Sequence, residues 1–217
     1  MQSNKEFIDI KEELNKKKIH LIIKRLFDIA TSFIGLILLS PVFILIAICI
    51  KLDSKGPVFF KQVRVGKNKK LFKIYKFRTM ITDAEKLGKQ ITIGNDSRIT
   101  RVGNFIRKSK LDELPQLINV LNGEMSLVGP RPEVPKYVEM YDEYQKQILL
   151  VQPGITDYAS IEFRNENDTL GKSSDPEKTY IQEIMPVKID LNMKYINDIS
   201  LIKDIKIIIN TIRAIIN

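Results

Sequence analysis

The sequence predicts an α+β protein, predominantly helical, with a membrane segment near its N-terminus and a small domain containing a β-hairpin and amphipathic helices. Three observations predict it. Residues 29–50 form one uncharged apolar run of 22 residues. Residues 58–65 and 71–77 are β-prone stretches joined by turn residues at 66–70. Much of the remainder carries helical periodicity, ending in a stripe of isoleucines.

Residues 1–20 are a mixed-charge lead-in, and 21–55 hold the apolar segment. As one helix the uncharged run reaches about 33 Å, enough for a hydrocarbon core of about 30 Å. Ser40 and Pro41 interrupt it. Proline lacks the N–H and crowds the preceding turn, so a kink or break is expected, and the Ser40 hydroxyl can serve a backbone group released there. Lys16, Lys17, Lys18, Lys24 and Arg25 stand before the run, and Lys51, Lys55, Lys61 and Arg64 after it. Basic flanks favour the cytoplasmic side, so two basic ends favour a helix–break–helix that enters and returns. Each half would reach roughly 16 Å. A kinked ordinary span is the competing reading, since membrane helices tolerate proline.

The domain is expected over 56–198. After the hairpin, 81–100 is polar, with "GNDSR" (94–98) reading as a loop. Residues 101–123 read as a helix ending at Asn122-Gly123, "SLVGPRPEVP" (126–135) as a rigid loop, 138–151 as a helix, "QPGIT" (152–156) as a turn and 165–178 as a polar loop. The last element, 199–217, places Ile205, Ile208, Ile209, Ile212, Ile215 and Ile216 at helical spacing, with Lys206 and Arg213 off the stripe. That helix either packs on the core or lies in a membrane interface.

Composition narrows the chemistry. Thirty-five Lys and Arg against 26 Asp and Glu give a net charge of +9, which suits phosphate-bearing partners. Cys49 and His20 are the only residues of their kinds. An intramolecular disulfide and a Cys/His zinc cluster are therefore excluded. Catalysis falls to carboxylates, Lys, Arg, hydroxyls or an oxygen-bound metal such as magnesium.

In "RKSKLDELPQL" (107–117), Pro115 suits the first turn of a helix. Asp112 then stands at or near the N-cap with Glu113 just inside, where the helix terminus favours ionised carboxylates and phosphates. Two adjacent carboxylates permit one nucleophile and one metal ligand. Arg107 and Lys110 can neutralise phosphates nearby. The plainer reading of Asp112 is a helix cap. "KFRTM" presents Lys76 and Arg78 as an ordinary half-exposed strand would. "GPRP" presents Arg131 on a rigid turn.

Taken together and in order, "KRLFDIA", Ser40-Pro41, "GPVFFKQVRVG", "KIYKFRTM", "LDELPQLINVLNGEMSLVGPRP", "PGIT" and "ISLIKDIKIIINTI" resemble the bacterial sugar transferases, the monotopic phosphoglycosyl transferases. The resemblance runs from about residue 21 to the end. It implies transfer of a sugar 1-phosphate from a UDP-sugar to polyprenyl (undecaprenyl) phosphate, through a phosphosugar–aspartyl intermediate on Asp112. Glu113 looks like the partner carboxylate that binds Mg2+. Lys76, Arg78, Arg107 and Arg131 match basic positions near the phosphates or nucleotide, and Asp190 resembles a C-terminal acidic position. Ser40-Pro41 matches the break of a re-entrant membrane helix, with the catalytic domain on the cytosolic face of the bacterial inner membrane. After "PGIT" the sequence departs from members that load simple hexoses, which implies an acetamido or modified amino sugar; a hexose donor is the alternative. The chain resembles the minimal catalytic form. It implies membrane lipids and no nucleic acid as partners. A reading of another class, a non-catalytic membrane-tethered module binding polyanions, rests on the +9 charge alone.

Overall fold

The computed structural model of the protein describes residues 10–84 and 96–216. The start of the lead-in and part of the expected 81–100 loop lie outside the described residues. Helix α1 (Ile10–Lys16) is followed by α2 (Lys18–Asp53), a helix of 36 residues. The fold is mostly helical with a small hairpin, as expected. At the expected kink or break the helical backbone continues: α2 carries Pro41 inside it and is not divided into two helices. The reason is local. Pro41 leaves the Ile37 carbonyl without its usual partner, and the Ser40 hydroxyl donates to that carbonyl at 2.8 Å.

Strands β1 (Phe59–Val65) and β2 (Leu71–Phe77) form the expected antiparallel hairpin, from Phe59 opposite Phe77 to Val65 opposite Leu71. The turn carries Asn68 and Lys69 at positive φ. Even-numbered residues of β2 face the main core, where Phe72 and Ile74 are buried. Phe77 faces the other way, into a smaller cluster with Ile46, Ile50 and Ile106. Thus the hairpin lies between the domain core and the C-terminal half of α2.

The segment 101–123 is not one helix. Helix α3 (Arg101–Lys108) stops where Lys110 takes a left-handed conformation, φ 55°. A single tight turn, Leu111–Glu113, then leads into α4 (Gln116–Leu121). Asp112 therefore sits on that turn, ahead of Pro115, rather than as the cap of a longer helix. Gly123 closes the segment at φ 80°.

Two expected loops contain strands. β3 (Ser126–Val128) and β4 (Gly154–Thr156) pair in parallel. A side chain on Gly154 would come within 2.1 Å of the Gly129 backbone, so glycine is required where the "GPRP" and "PGIT" segments meet. α5 (Pro135–Val138) follows the first segment. Between them, 138–151 holds only a tight helical run, Gln145–Leu150, begun by reciprocal bonds between Asp142 and Gln145. The expected 165–178 loop contains α7 (Glu166–Gly171) and α8 (Pro176–Thr179), after α6 (Tyr158–Glu162). Asp175 caps α8 by accepting from Lys178 N–H, with Pro176 in its first turn. A wider helical turn, Tyr180–Ile184, continues into α9 (Met185–Asn197), to which the sequence reading assigned nothing.

Helix α10 (Leu201–Ile216) turns Asp204 and Ile207 inward. Ile202, Ile205, Ile209, Ile212 and Ile215 are exposed. The predicted stripe is thus largely the outer face of the helix, which favours the interfacial reading over packing on the core. On α2, Phe33, Ile34, Ile37, Leu38, Ile44, Leu45 and Ile48 are likewise exposed.

Candidate active site

Two separate segments converge on Glu113. Lys76, projecting from β2 on its core side, donates to Glu113 Oε1 at 2.7 Å. Arg131, from the loop after β3, makes a two-pronged contact with the same carboxylate, one arm at 3.2 Å to Oε2 and the other to Oε1. The α4 side chain Asn119 locks β2 against this turn. It accepts from Tyr75 N–H at 2.9 Å and donates to Lys73 C=O at 2.8 Å, filling the open edge of the strand. Asp157 fixes Arg131 from behind, accepting from its backbone N–H at 3.1 Å while capping α6 through Ser160 N–H.

The electrostatics of the two carboxylates diverge. Burial alone would push the Glu113 carboxyl up, but the Arg131 guanidinium and the Lys76 ammonium hold it well below the usual range. Burial lowers the Lys76 ammonium, with Glu113 acting in the opposite sense. Asp112 is buried, and burial together with the neighbouring Glu113 charge raises its carboxyl against the pull of Lys76, Arg107 and Lys110. Among the described residues it makes no hydrogen bond or ion pair. The site thus holds one anion clamped by two cations beside a second carboxylate that is free to react.

The other predicted residues fall in different places. Arg107 ends α3 and acts on Asp112 through its charge. Arg78 is turned away: its guanidinium donates to the Ser54 and Lys55 carbonyls at 2.7 and 2.6 Å, clamping the end of α2. Gly56, at φ 125°, leaves room for it, since a Cβ there would meet the guanidinium at 1.9 Å. Asp190 lies exposed on α9, which packs on α1, α6 and the 145–150 run rather than on the turn bearing Asp112. Ser40 and Pro41 lie midway along the outer side of α2.

Sequence reasoning missed the residues that hold α2 to this domain. Lys24 and Arg25, counted as basic flank, point inward. Arg25 donates to the Val120 and Leu121 carbonyls at the end of α4. Lys24 lies 2.7 Å from Asp204 and 3.7 Å from Asp28, all three buried. Asp28 accepts from Ser126 Oγ at 2.6 Å, and Asp204 from Tyr195 Oη at 2.7 Å. At the far end, the Asp53 carboxylate accepts from Val102 N–H in the first turn of α3. The signal available was a charged pair at i, i+4 beside an apolar run, together with a lone aspartate in an isoleucine helix.

The comparisons agree with one another. Residues 19–217 match the family described as bacterial sugar transferase. A UDP-N-acetylgalactosamine-undecaprenyl-phosphate N-acetylgalactosaminephosphotransferase of Aeromonas hydrophila is 41% identical over 91% of this chain and 44% of its own length. A UDP-glucose:undecaprenyl-phosphate glucose-1-phosphate transferase of Escherichia coli K12 is 41% identical over 89% of this chain and 40% of its own length. An exopolysaccharide production protein of Rhizobium leguminosarum is 40% identical over 88% of this chain and 94% of its own length. The chain thus spans less than half of the first two relatives and nearly all of the third.

Proposed function

The chain belongs to the bacterial sugar transferases, and we propose that it transfers a sugar 1-phosphate from a UDP-sugar to polyprenyl phosphate by way of Asp112. The observation that carries this reading is the pairing of an unpartnered, buried Asp112 with Glu113 clamped by Lys76 and Arg131. An Asp112 oxygen attacks the sugar-bearing phosphorus of the donor. The bond from that phosphorus to the bridging oxygen breaks, and UMP leaves with the electron pair. The polyprenyl phosphate oxygen then attacks the same phosphorus, expelling the Asp112 carboxylate and completing the diphosphate. Lys76, Arg107 and Arg131 supply the positive field in which charge moves between the phosphates.

The carboxylates fit an oxygen-bound cation such as Mg2+. Glu113 Oε1 accepts from both Lys76 and Arg131, but Oε2 accepts only from Arg131, and Asp112 is unpartnered among the described residues. No group of three or more His, Cys, Asp or Glu able to hold a metal occurs among the described residues, so Glu113 and Asp112 would hold such an ion only together with donor phosphate oxygens and water. Bound there, the ion neutralises diphosphate charge.

We assign donor choice to 157–168, which begins at Asp157, the residue that fixes Arg131, and which departs from the hexose-loading pattern. An acetamido or modified amino sugar is the proposed donor. The test is UMP release from a panel of UDP-sugars with undecaprenyl phosphate and Mg2+. Turnover is expected with an acetamido sugar and is expected to stop with EDTA. A preference for UDP-glucose overturns the donor assignment, and an EDTA-resistant rate removes the metal.

The same reading sets α2 in the cytoplasmic membrane as a re-entrant element kinked at Ser40-Pro41, with the domain on the cytosolic face. What supports it is that both ends of the apolar run are bonded to one domain, Asp28 at Ser126 and Asp53 at Val102. A spanning helix would separate those ends by about 30 Å of hydrocarbon. The exposed faces of α2 and α10, with Phe105 on α3, supply the surface that enters lipid. In a Cys49→Ser background, His20→Cys and Lys55→Cys are both expected to resist an impermeant thiol reagent in intact cells. Labelling of one position alone identifies a span.

A further inference from the structure

Away from Asp112, on the side of the domain where α2 begins, lies a groove of about 640 Å³ between α1, the first turns of α2, the hairpin turn and the 150–152 loop. Helix α1 lies outside the residues matched by the family, so this groove joins a segment outside that match to the shared domain. Its lining includes five basic side chains against the single carboxylate of Asp28. Asp28 is already engaged by Lys24 and by the Ser126 hydroxyl. Lys18 and Lys67, by contrast, are exposed, and neither ammonium has a hydrogen bond or ion pair among the described residues. The apolar part of the lining, Leu21, Ile22 and Leu26, follows Lys18 along α2. Ile22 and Leu26 are 61% and 62% exposed, and continue into the apolar outer face of α2.

We propose that this groove binds the phosphate of an anionic phospholipid, with Lys18 and Lys67 at the headgroup and an acyl chain along Leu21, Ile22 and Leu26. Lone cationic side chains at the rim select an anion, and the apolar wall selects one that carries a hydrocarbon tail. A free phosphate shares the headgroup chemistry but has nothing to place on the wall. The inference rests on the membrane reading of α2 and not on the transfer chemistry.

The full chain in a neutral detergent can be tested by native mass spectrometry with equimolar phosphatidylglycerol and phosphatidylcholine, and separately with inorganic phosphate. One phosphatidylglycerol per chain is expected to be retained in preference to phosphatidylcholine. Retention is expected to fall about tenfold in Lys18→Glu/Lys67→Glu and less in Lys18→Gln/Lys67→Gln, with UMP release from detergent-solubilised substrates unchanged. Circular dichroism verifies that both variants are folded. Equal retention of the two lipids, or undiminished retention by the charge-reversed variant, overturns the proposal. So does displacement of the lipid by inorganic phosphate at similar concentration, which identifies a free-phosphate site. Failure of lipid retention with UMP release intact removes the groove and leaves the transferase reading standing; absence of turnover in the unaltered protein does the reverse.

Discussion

Asp112→Asn is expected to lower UMP release by on the order of 10⁴-fold or more, as removal of a covalent nucleophile does in enzymes where its partners act with it as a unit. The amide occupies nearly the same volume, and Asp112 holds nothing else in place among the described residues, so the fold should be unchanged. A single-turnover assay sharpens the test. With donor alone and no polyprenyl phosphate, the unaltered chain should release about one UMP per molecule and retain the sugar phosphate on the protein. The variant should do neither. A variant that turns over at the original rate, or that still retains label, removes Asp112 from the mechanism. The acid limb of the rate gives an independent reading. The nucleophile must be ionised, so the rate falls as pH falls through the Asp112 pKa. Burial and the neighbouring Glu113 raise that pKa. The limb should therefore lie above the usual aspartate value of about 3.9. Glu113 cannot produce it, because Arg131 and Lys76 keep that carboxylate ionised well below its usual range.

The parts of this site that were legible in the sequence were the local ones. Asp112 and Glu113 are adjacent, and the Pro115 that follows marks a turn. The hairpin was legible because two β-prone runs flank a five-residue turn. The clamp on Glu113 was not, since its donors are 37 and 18 residues away. Physical reading of "KFRTM" and "GPRP" left a strand and a rigid turn, and only the resemblance drew Lys76 and Arg131 to the phosphates. Arg78 shows the limit of such transfer: the sequence places it two residues from Lys76, and the fold spends it on the end of α2. Strands β3 and β4 were missed because three residues have no periodicity, and their pairing joins segments 28 residues apart. Helix α9 had a readable signal in Met185, Ile189, Met193 and Ile196, all buried, which went unread. At Ser40-Pro41 one hydroxyl replaces one lost hydrogen bond, so of the two expected outcomes, a kink or a break, the helix is not broken.

Lys24→Met is expected to have the largest effect on stability. The Lys24 ammonium lies 2.7 Å from Asp204 and 3.7 Å from Asp28, with its side chain 9% exposed and theirs 2%. Removing it leaves two buried carboxylates facing one another without a cation, a loss of about 3–5 kcal/mol. For a chain of this size that corresponds to a fall of roughly 6–20 °C in Tm, measurable by thermal unfolding in detergent. The pH dependence separates charge from packing. Burial already raises the Asp204 carboxyl, even opposite Lys24, and loss of the ammonium raises it further. A group whose folded pKa exceeds its unfolded value favours the fold at low pH and loses that contribution as pH rises through the folded pKa. The Lys24→Met penalty should therefore shrink on acidification, as Asp204 takes up a proton. A penalty independent of pH would mean that only packing was lost. Adding Asp204→Leu should restore part of the stability at neutral pH, because it removes one of the two stranded charges and leaves Asp28 with the Ser126 hydroxyl and Leu127 N–H, while Tyr195 keeps the Val128 carbonyl as its acceptor. That recovery would place the value of the cluster in holding α2 to β3 and α10, the contacts that bring the apolar surface and the Asp112 turn onto one body.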